Sequence, residues 1–199
     1  MVVSDAPAQY DVVGIGNAIV DVLSHSDHAF LDAHGLPKGG MTLVDAATAD
    51  RVYGAMGPGV EVSGGSVANT MAALAMLGSR AAYIGKVRDD DFGRVFRHDI
   101  RAAGVVFDSV AAPDGPPTAR CHVLVTADAE RTMATHLGAC LDLGPEDIDP
   151  ALIASSRISY LEGYIWDPPR AKDALRMAIR VAKENSRTVA LSLSDPFCF

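Results

Sequence analysis

The sequence predicts an α/β protein built on a mostly parallel sheet covered by helices. Short apolar runs alternate with stretches of helical periodicity along most of the chain, the pattern of strand–helix–strand units. Several of those runs are apolar without interruption, as in strands buried on both faces. The composition, 49% hydrophobic and 21% charged over 199 residues, is that of a globular chain able to form one sizeable core.

Residues 1–9 carry no basic start and read as a flexible N-terminus, not a signal peptide. Tyr10–Gly16, YDVVGIG, reads as a buried first strand. Its G-x-G resembles a dinucleotide fingerprint, but Ile19 stands where the third glycine belongs and Val20–Ser24 gives no clear helix. Asp27–His34 is a short helix closed by Gly35 and Pro37. Gly40–Asp45 is a strand; Asp45 caps a helix running to about Met56, and Gly57, Pro58 and Gly59 break it. Val60–Ser63 is a strand leading into a glycine pair.

The stretch from that pair, Gly64–Gly93, organises the chain. Val67, Met71, Leu74 and Leu77 recur at helical steps and mark an inner face, while Ala68, Ala72, Ala73 and Ala75 keep the helix slim enough to lie close to a sheet. Ser66 is the expected N-cap and Asn69 falls in the first turn. Gly64 and Gly65 open the main chain at a helix N-terminus. Two readings stay open for them: a loop that binds the hydroxyls of a polyol, or a tight turn that starts a helix.

Ala81–Val87 is the next strand. Asp89, Asp90 and Asp91 precede a helix over Phe92–Ala103, where an acidic cap is favoured over a cation site. Asp114–Pro117 is a turn; Thr118–Thr126 and Glu130–Leu137 then flank Ala127–Ala129 as a hairpin whose arms place Cys121, Val123 and Val125, then Met133 and Thr135, in alternation. Pro145–Ser155 suggests a helix, Arg157–Tyr164 a strand ending at the ligand edge of the sheet, and Pro168–Glu184 a helix with Leu175, Ile179 and Ala182 inward. Thr188–Ser194 reads as an interior strand. It is followed by Pro196–Phe199 with no covering helix, an arrangement expected to self-associate.

The net charge of −8 argues against nucleic acid as a partner. It does not oppose an anionic nucleotide, which a helix N-terminus and one arginine can hold. Cys121, Cys140 and Cys198 show no C-x-x-C spacing and read as reduced thiols of a cytoplasmic protein. His25, His28 and His34 lack an acidic or cysteine partner that would complete a metal set, so no metal ligands are assigned. No apolar run approaches the roughly 20 residues that span a bilayer.

The string from GGSVAN through MLGSRAAYIGKVRDDDFG resembles the N-terminal signature of the ribokinase-like, or PfkB-type, carbohydrate and nucleoside kinases. That resemblance implies a three-layer fold with a small β lid drawn from about residues 18–24, 40–45, 60–63 and 118–137. It implies transfer of a phosphoryl group from ATP, with Mg²⁺, to a primary hydroxyl of a nucleoside or sugar. Gly64, Gly65 and Asn69 would then bind substrate hydroxyls, with Ser66 beside them. The first strand ends in G-N-x-x-x-D, which by the same likeness assigns Asn17 and Asp21 to substrate. A carboxylate can accept both hydrogen bonds of a vicinal diol, and the alternative for Asp21 is a turn cap. PTARCHVLVTADAERTMATHLGAC and SLSDPF are closest to the adenosine-kinase branch and favour adenosine. On that likeness Cys121, Met133 and Leu137 face the nucleoside, Tyr164 borders the base, Met41 and Leu43 face the substrate, and Arg131 meets phosphates. Its forked, permanent charge suits that task; an exposed strand charge is the other reading.

The resemblance also implies a later G-A-G-D-like signature carrying the general base and an anion hole. The sequence contains none: in Gly138–Asp142, GACLD, Cys140 replaces the second glycine and Asp142 is displaced by one. The chain therefore reads as the substrate-binding part of a kinase whose C-terminal part is absent, without a catalytic base and with most of the ATP site elsewhere. A non-catalytic sugar- or nucleoside-binding protein is the alternative, and a dinucleotide-dependent oxidoreductase a weaker one.

Overall fold

A computed structural model describes residues 8–195 and 198. The expectation of a flexible terminus falls largely on residues 1–7, and that of an exposed apolar tail on 196, 197 and 199; both lie outside the described residues. In chain order the elements are β1 (Tyr10–Ile15), β2 (Ile19–His25), α1 (His28–Ala33), β3 (Met41–Leu43), α2 (Ala46–Ala55), β4 (Gly59–Gly64), α3 (Ser66–Met76), β5 (Ala81–Ile84), α4 (Asp91–Ala102), β6 (Ala119–Val125), β7 (Arg131–His136), α5 (Pro150–Ala154), β8 (Ser156–Glu162), α6 (Pro169–Glu184) and β9 (Thr188–Ser192).

Two sheets divide the strands. The first has four strands in the order β5-β1-β8-β9, all parallel. Alternate residues of its strands go to opposite layers, as the pleat requires. Val13, Ile15, Ala82 and Ile84 pack with Ala174, Leu175 and Ala178 of α6, whereas Val12, Ala81 and Tyr83 pack with Val67 and Met71 of α3 and Phe96 and Ile100 of α4. The result is helix–sheet–helix, the expected covered parallel sheet. The second sheet has five strands in the order β3-β7-β6-β2-β4. One face is sealed by Leu31, Leu36 and Val52 against Leu124 and Ala134.

The local signals form as the residues predict. Asp27, Asp45 and Asp90 each accept the N–H three residues on, from Phe30, Thr48 and Gly93, all at 2.8 Å. The hairpin forms, and it pairs Cys121 with Thr135 and Val123 with Met133, so the alternating residues of its two arms share a face.

Other expectations are corrected. After Gly16 the chain enters strand β2, which pairs with β4 and β6. No helix N-terminus follows the G-x-G, so the dinucleotide reading fails. The N-cap of α3 is Gly65, with φ +101° and no side-chain cap, and Ser66 is already the first helical residue. Leu77 lies just beyond α3 and is exposed, because the turn at Gly78 carries the chain away from the sheet. Residues 145–155 are not one helix. A 3₁₀ turn, Pro145–Asp147, precedes α5, which restarts where Asp149 caps Ala151 and Leu152 and Pro150 has no N–H to continue an earlier turn. β5 stops at Ile84 and β8 at Glu162; a 3₁₀ turn, Gly163–Ile165, then carries Tyr164. β9 ends at Ser192 and, among the described residues, is the outermost strand of its sheet. Among the described residues no helix is long and apolar enough to cross a membrane.

Candidate functional site

A cavity of about 320 Å³ opens where the carboxyl ends of β1 and β8 meet the second sheet. That edge of a parallel sheet is where α/β proteins place ligands, and the volume falls in the range of small-molecule sites, ~300–1,000 Å³. Asn17, Ser66 and Glu162 line it from the parallel-sheet side; Ile19, Met41, Leu43 and Thr135 line it from the five-stranded sheet, with Leu137 just beyond β7 and Tyr164 at the rim.

Register explains how the second sheet presents its residues. Residues opposite one another on neighbouring strands share a face, as do residues two apart on one strand. Asp21, Cys121, Thr135 and Leu43 form one row across β2, β6, β7 and β3. Leu23, Val123, Met133 and Met41 form the next row on the same face. Arg131 lies two residues from Met133, again on that face. So Asp21, Met41, Leu43, Cys121, Arg131 and Met133, separated by up to 112 positions in the sequence, share one surface. It is the face not sealed by α1 and α2, and its Met41, Leu43, Val60 and Val62 are exposed. Of these residues, Met41 and Leu43 line the cavity itself; Asp21, Cys121, Arg131 and Met133 extend the face beyond it.

The glycine pair is seated between two polar groups. A Cβ on Gly64 would collide with the carboxylate of Asp21, and one on Gly65 with the carbonyl oxygen of Asn17. Gly65 also has φ +101°, a region that side chains disfavour. Asn69 is exposed one turn into α3.

Burial sets the electrostatics. Asp21 is half-buried, and desolvation raises its carboxyl to about 6, opposed by the charge of Arg131. Burial pushes the Cys121 thiol up to about 12, so it is a neutral group accepting a hydrogen bond from Thr135 Oγ1 at 3.3 Å. Glu162 is raised to about 7 by burial, opposed by bonds from the amides of Val67 and Asn17.

Glu162 and Thr135 are not among the residues singled out from the sequence. Glu162 had a signal: an acidic residue closing an apolar strand, YLEGY, demands a partner or a purpose. Thr135 was read only as part of the strand alternation.

The cavity holds carboxylates, amides and hydroxyls and no lysine or arginine. That donor set suits a neutral polyol and does not fit a triphosphate. Among the described residues no group of three His, Cys, Asp or Glu side chains is placed to hold a metal ion. The residues present therefore do not make an ATP–magnesium site by themselves.

The model of the pfkB family of carbohydrate kinases matches residues 44–198. The chain belongs to this family. The pfkB chain is similar to fructokinase-2 of Solanum habrochaites, with 33% identity over 151 residues that cover 73% of it and 45% of the relative. It is similar to the ATP-dependent ribose-1-phosphate kinase of Halopiger xanaduensis, 40% over 93 residues, covering 47% of it and 31% of the relative. Among solved structures, adenosine kinase from Sinorhizobium meliloti is 54% identical with a TM-score of 0.89, covering 96% of this chain and 58% of that one. A probable sugar kinase from Rhizobium etli gives 46% identity and a TM-score of 0.89 over the same shares. The fold of the pfkB chain is thus the ribokinase-like α/β fold. The chain spans less than half the length of these curated relatives.

Proposed function

We propose that the chain is the acceptor-binding part of an ATP-dependent kinase that phosphorylates the primary hydroxyl of a nucleoside, adenosine before a sugar. The observation that carries this is Asp21: a partly desolvated carboxylate on the open face of the five-stranded sheet, against Gly64 at the start of α3. A carboxylate so placed accepts hydrogen bonds from a vicinal diol, and in a low-dielectric site such bonds are stronger than in water. Asn17 and Ser66 supply further polar groups in the adjoining cavity, and Asn69 is assigned with them from its place in the first turn of α3. Met41, Leu43, Leu137 and Tyr164 give the flat apolar contact that a base offers. The 54% identity with an adenosine kinase supports the nucleoside ahead of the sugar.

ATP with Mg²⁺ supplies the phosphoryl group; its site lies mostly outside the residues of this chain. The chain's own residues bind the acceptor, orient its hydroxyl and exclude water, which is where much of phosphoryl-transfer catalysis resides. Arg131, exposed at the start of β7, is assigned to the phosphates. The five-stranded sheet acts as the lid over the acceptor.

The test is turnover by the full-length protein against panels of nucleosides and sugars with ATP and Mg²⁺. Adenosine is expected to give the highest kcat/KM. A sugar in first place would correct the substrate but keep the reaction, while adenosine binding without ATP consumption would favour a non-catalytic binding protein.

A further inference from the structure

Glu162, the last residue of β8, carries an ionisable carboxyl that is 1% exposed. Its Oε2 accepts the Val67 N–H at 3.0 Å and its Oε1 accepts the Asn17 N–H at 3.3 Å. Val67 lies in the first turn of α3, and Asn17 in the connection from β1 to β2. Those two segments, with the strand ends beside them, carry Asn17, Asp21, Gly64, Gly65, Ser66 and Asn69. The space for the carboxylate is kept by Gly16, where a Cβ would collide with Oε2.

Among the described residues, the groups facing Glu162 leave it without charge compensation. The Tyr83 hydroxyl of β5 is buried with no hydrogen-bond partner, the Cys140 thiol bonds Ala18 O at 3.4 Å, and Tyr164 lies on the cavity side. None of the groups shifting Glu162 is a cation. A carboxylate buried in this way is costly unless its hydrogen bonds accomplish something a neutral side chain would not.

We propose that Glu162 is a positioning residue for the acceptor. It clamps the Asn17 turn to the first turn of α3, and it does so only as the carboxylate. The proposal rests on the reading of this site as the acceptor pocket. An ionised carboxylate offers acceptors on both oxygens. Protonation turns one oxygen into a donor and a weaker acceptor, so one of the two hydrogen bonds weakens and the two segments are held less firmly at one separation. Because burial holds the group near 7, the clamp releases close to neutral pH: acceptor affinity is full above that value and falls below it.

The experiment measures adenosine affinity of the full-length protein by calorimetry from about pH 5.5 to about pH 8.5, bracketing both carboxyls. It compares wild type, Glu162→Gln and Asp21→Ala, with amide exchange at Asn17 and Val67. Wild type should lose affinity in two steps, one near 7 and one near 6 from Asp21. Glu162→Gln, which keeps the shape, should bind about tenfold more weakly at high pH, lack the upper step, and exchange one of the two amides faster. A folded Glu162→Gln protein with wild-type affinity, profile and exchange would overturn the proposal. Unchanged affinity in Asp21→Ala, or no adenosine binding by wild type, would instead overturn the site reading; amide exchange then decides the clamp alone.

Discussion

The carboxylate of Asp21 occupies the space that a side chain at Gly64 would fill. Asp21 belongs to β2 and Gly64 ends β4, its antiparallel neighbour. The absence of a side chain at 64 therefore lets a partly desolvated carboxylate lie beside the start of α3.

Adding that side chain should displace the carboxylate. Gly64→Ala is expected to weaken adenosine binding by at least tenfold, as when a charged hydrogen bond is lost, with a smaller effect on ATP. Gly65→Ala should cost stability as well, ~1–2 kcal/mol for the left-handed backbone alone, because φ is +101° and a Cβ meets the Asn17 carbonyl. Calorimetry and thermal unfolding separate the two. Wild-type binding by Gly64→Ala would refute the role of the contact.

Asp21 should show opposite pH trends in binding and in stability. Its folded value, about 6, lies above the ordinary carboxylate value, so folding favours the protonated form. Its contribution to stability is thus fullest at low pH and is lost as pH rises through about 6. Acceptor binding needs the ionised form and moves the other way. Asp21→Asn should therefore raise the Tm at pH values above 7 while lowering adenosine affinity at the same pH. A variant that loses both would indicate a purely structural aspartate.

Arg131→Ala should slow turnover by ~10²-fold or more with little change in adenosine affinity, as expected for a cation that stabilises charge in transfer. Steady-state kinetics of the full-length protein measures both. A pure affinity defect would place Arg131 on the acceptor instead.

The 199-residue chain alone should self-associate and show no substrate-dependent ATP turnover. β9 is the edge of the parallel sheet among the described residues, and Leu191 and Leu193 are exposed there. Sedimentation velocity should show concentration-dependent species, and Leu191→Lys should reduce them. A monodisperse monomer, or turnover free of contaminating kinase, would contradict the respective half.

What could be read from the sequence shares a physical origin: interactions closing within a few residues. The caps at Asp45 and Asp90 involve donors three residues on, the hairpin closes over three residues, and the helices of the parallel sheet follow a 3.6-residue period. Even Asp21, Met41, Cys121 and Met133 could be singled out by family likeness from short strings of the sequence. Their common face could not, because it depends on the pairing of β2, β3, β6 and β7, and strand register is fixed by long-range contact. The same distance hid Glu162. Its partners stand 95 and 145 positions away, and they meet only once β8 lies beside β1 and α3 crosses over both. Local chemistry settled which elements form; long-range packing settled that α3 begins at Gly65 without a side-chain cap of its own, with a buried carboxylate from another strand held against its first turn.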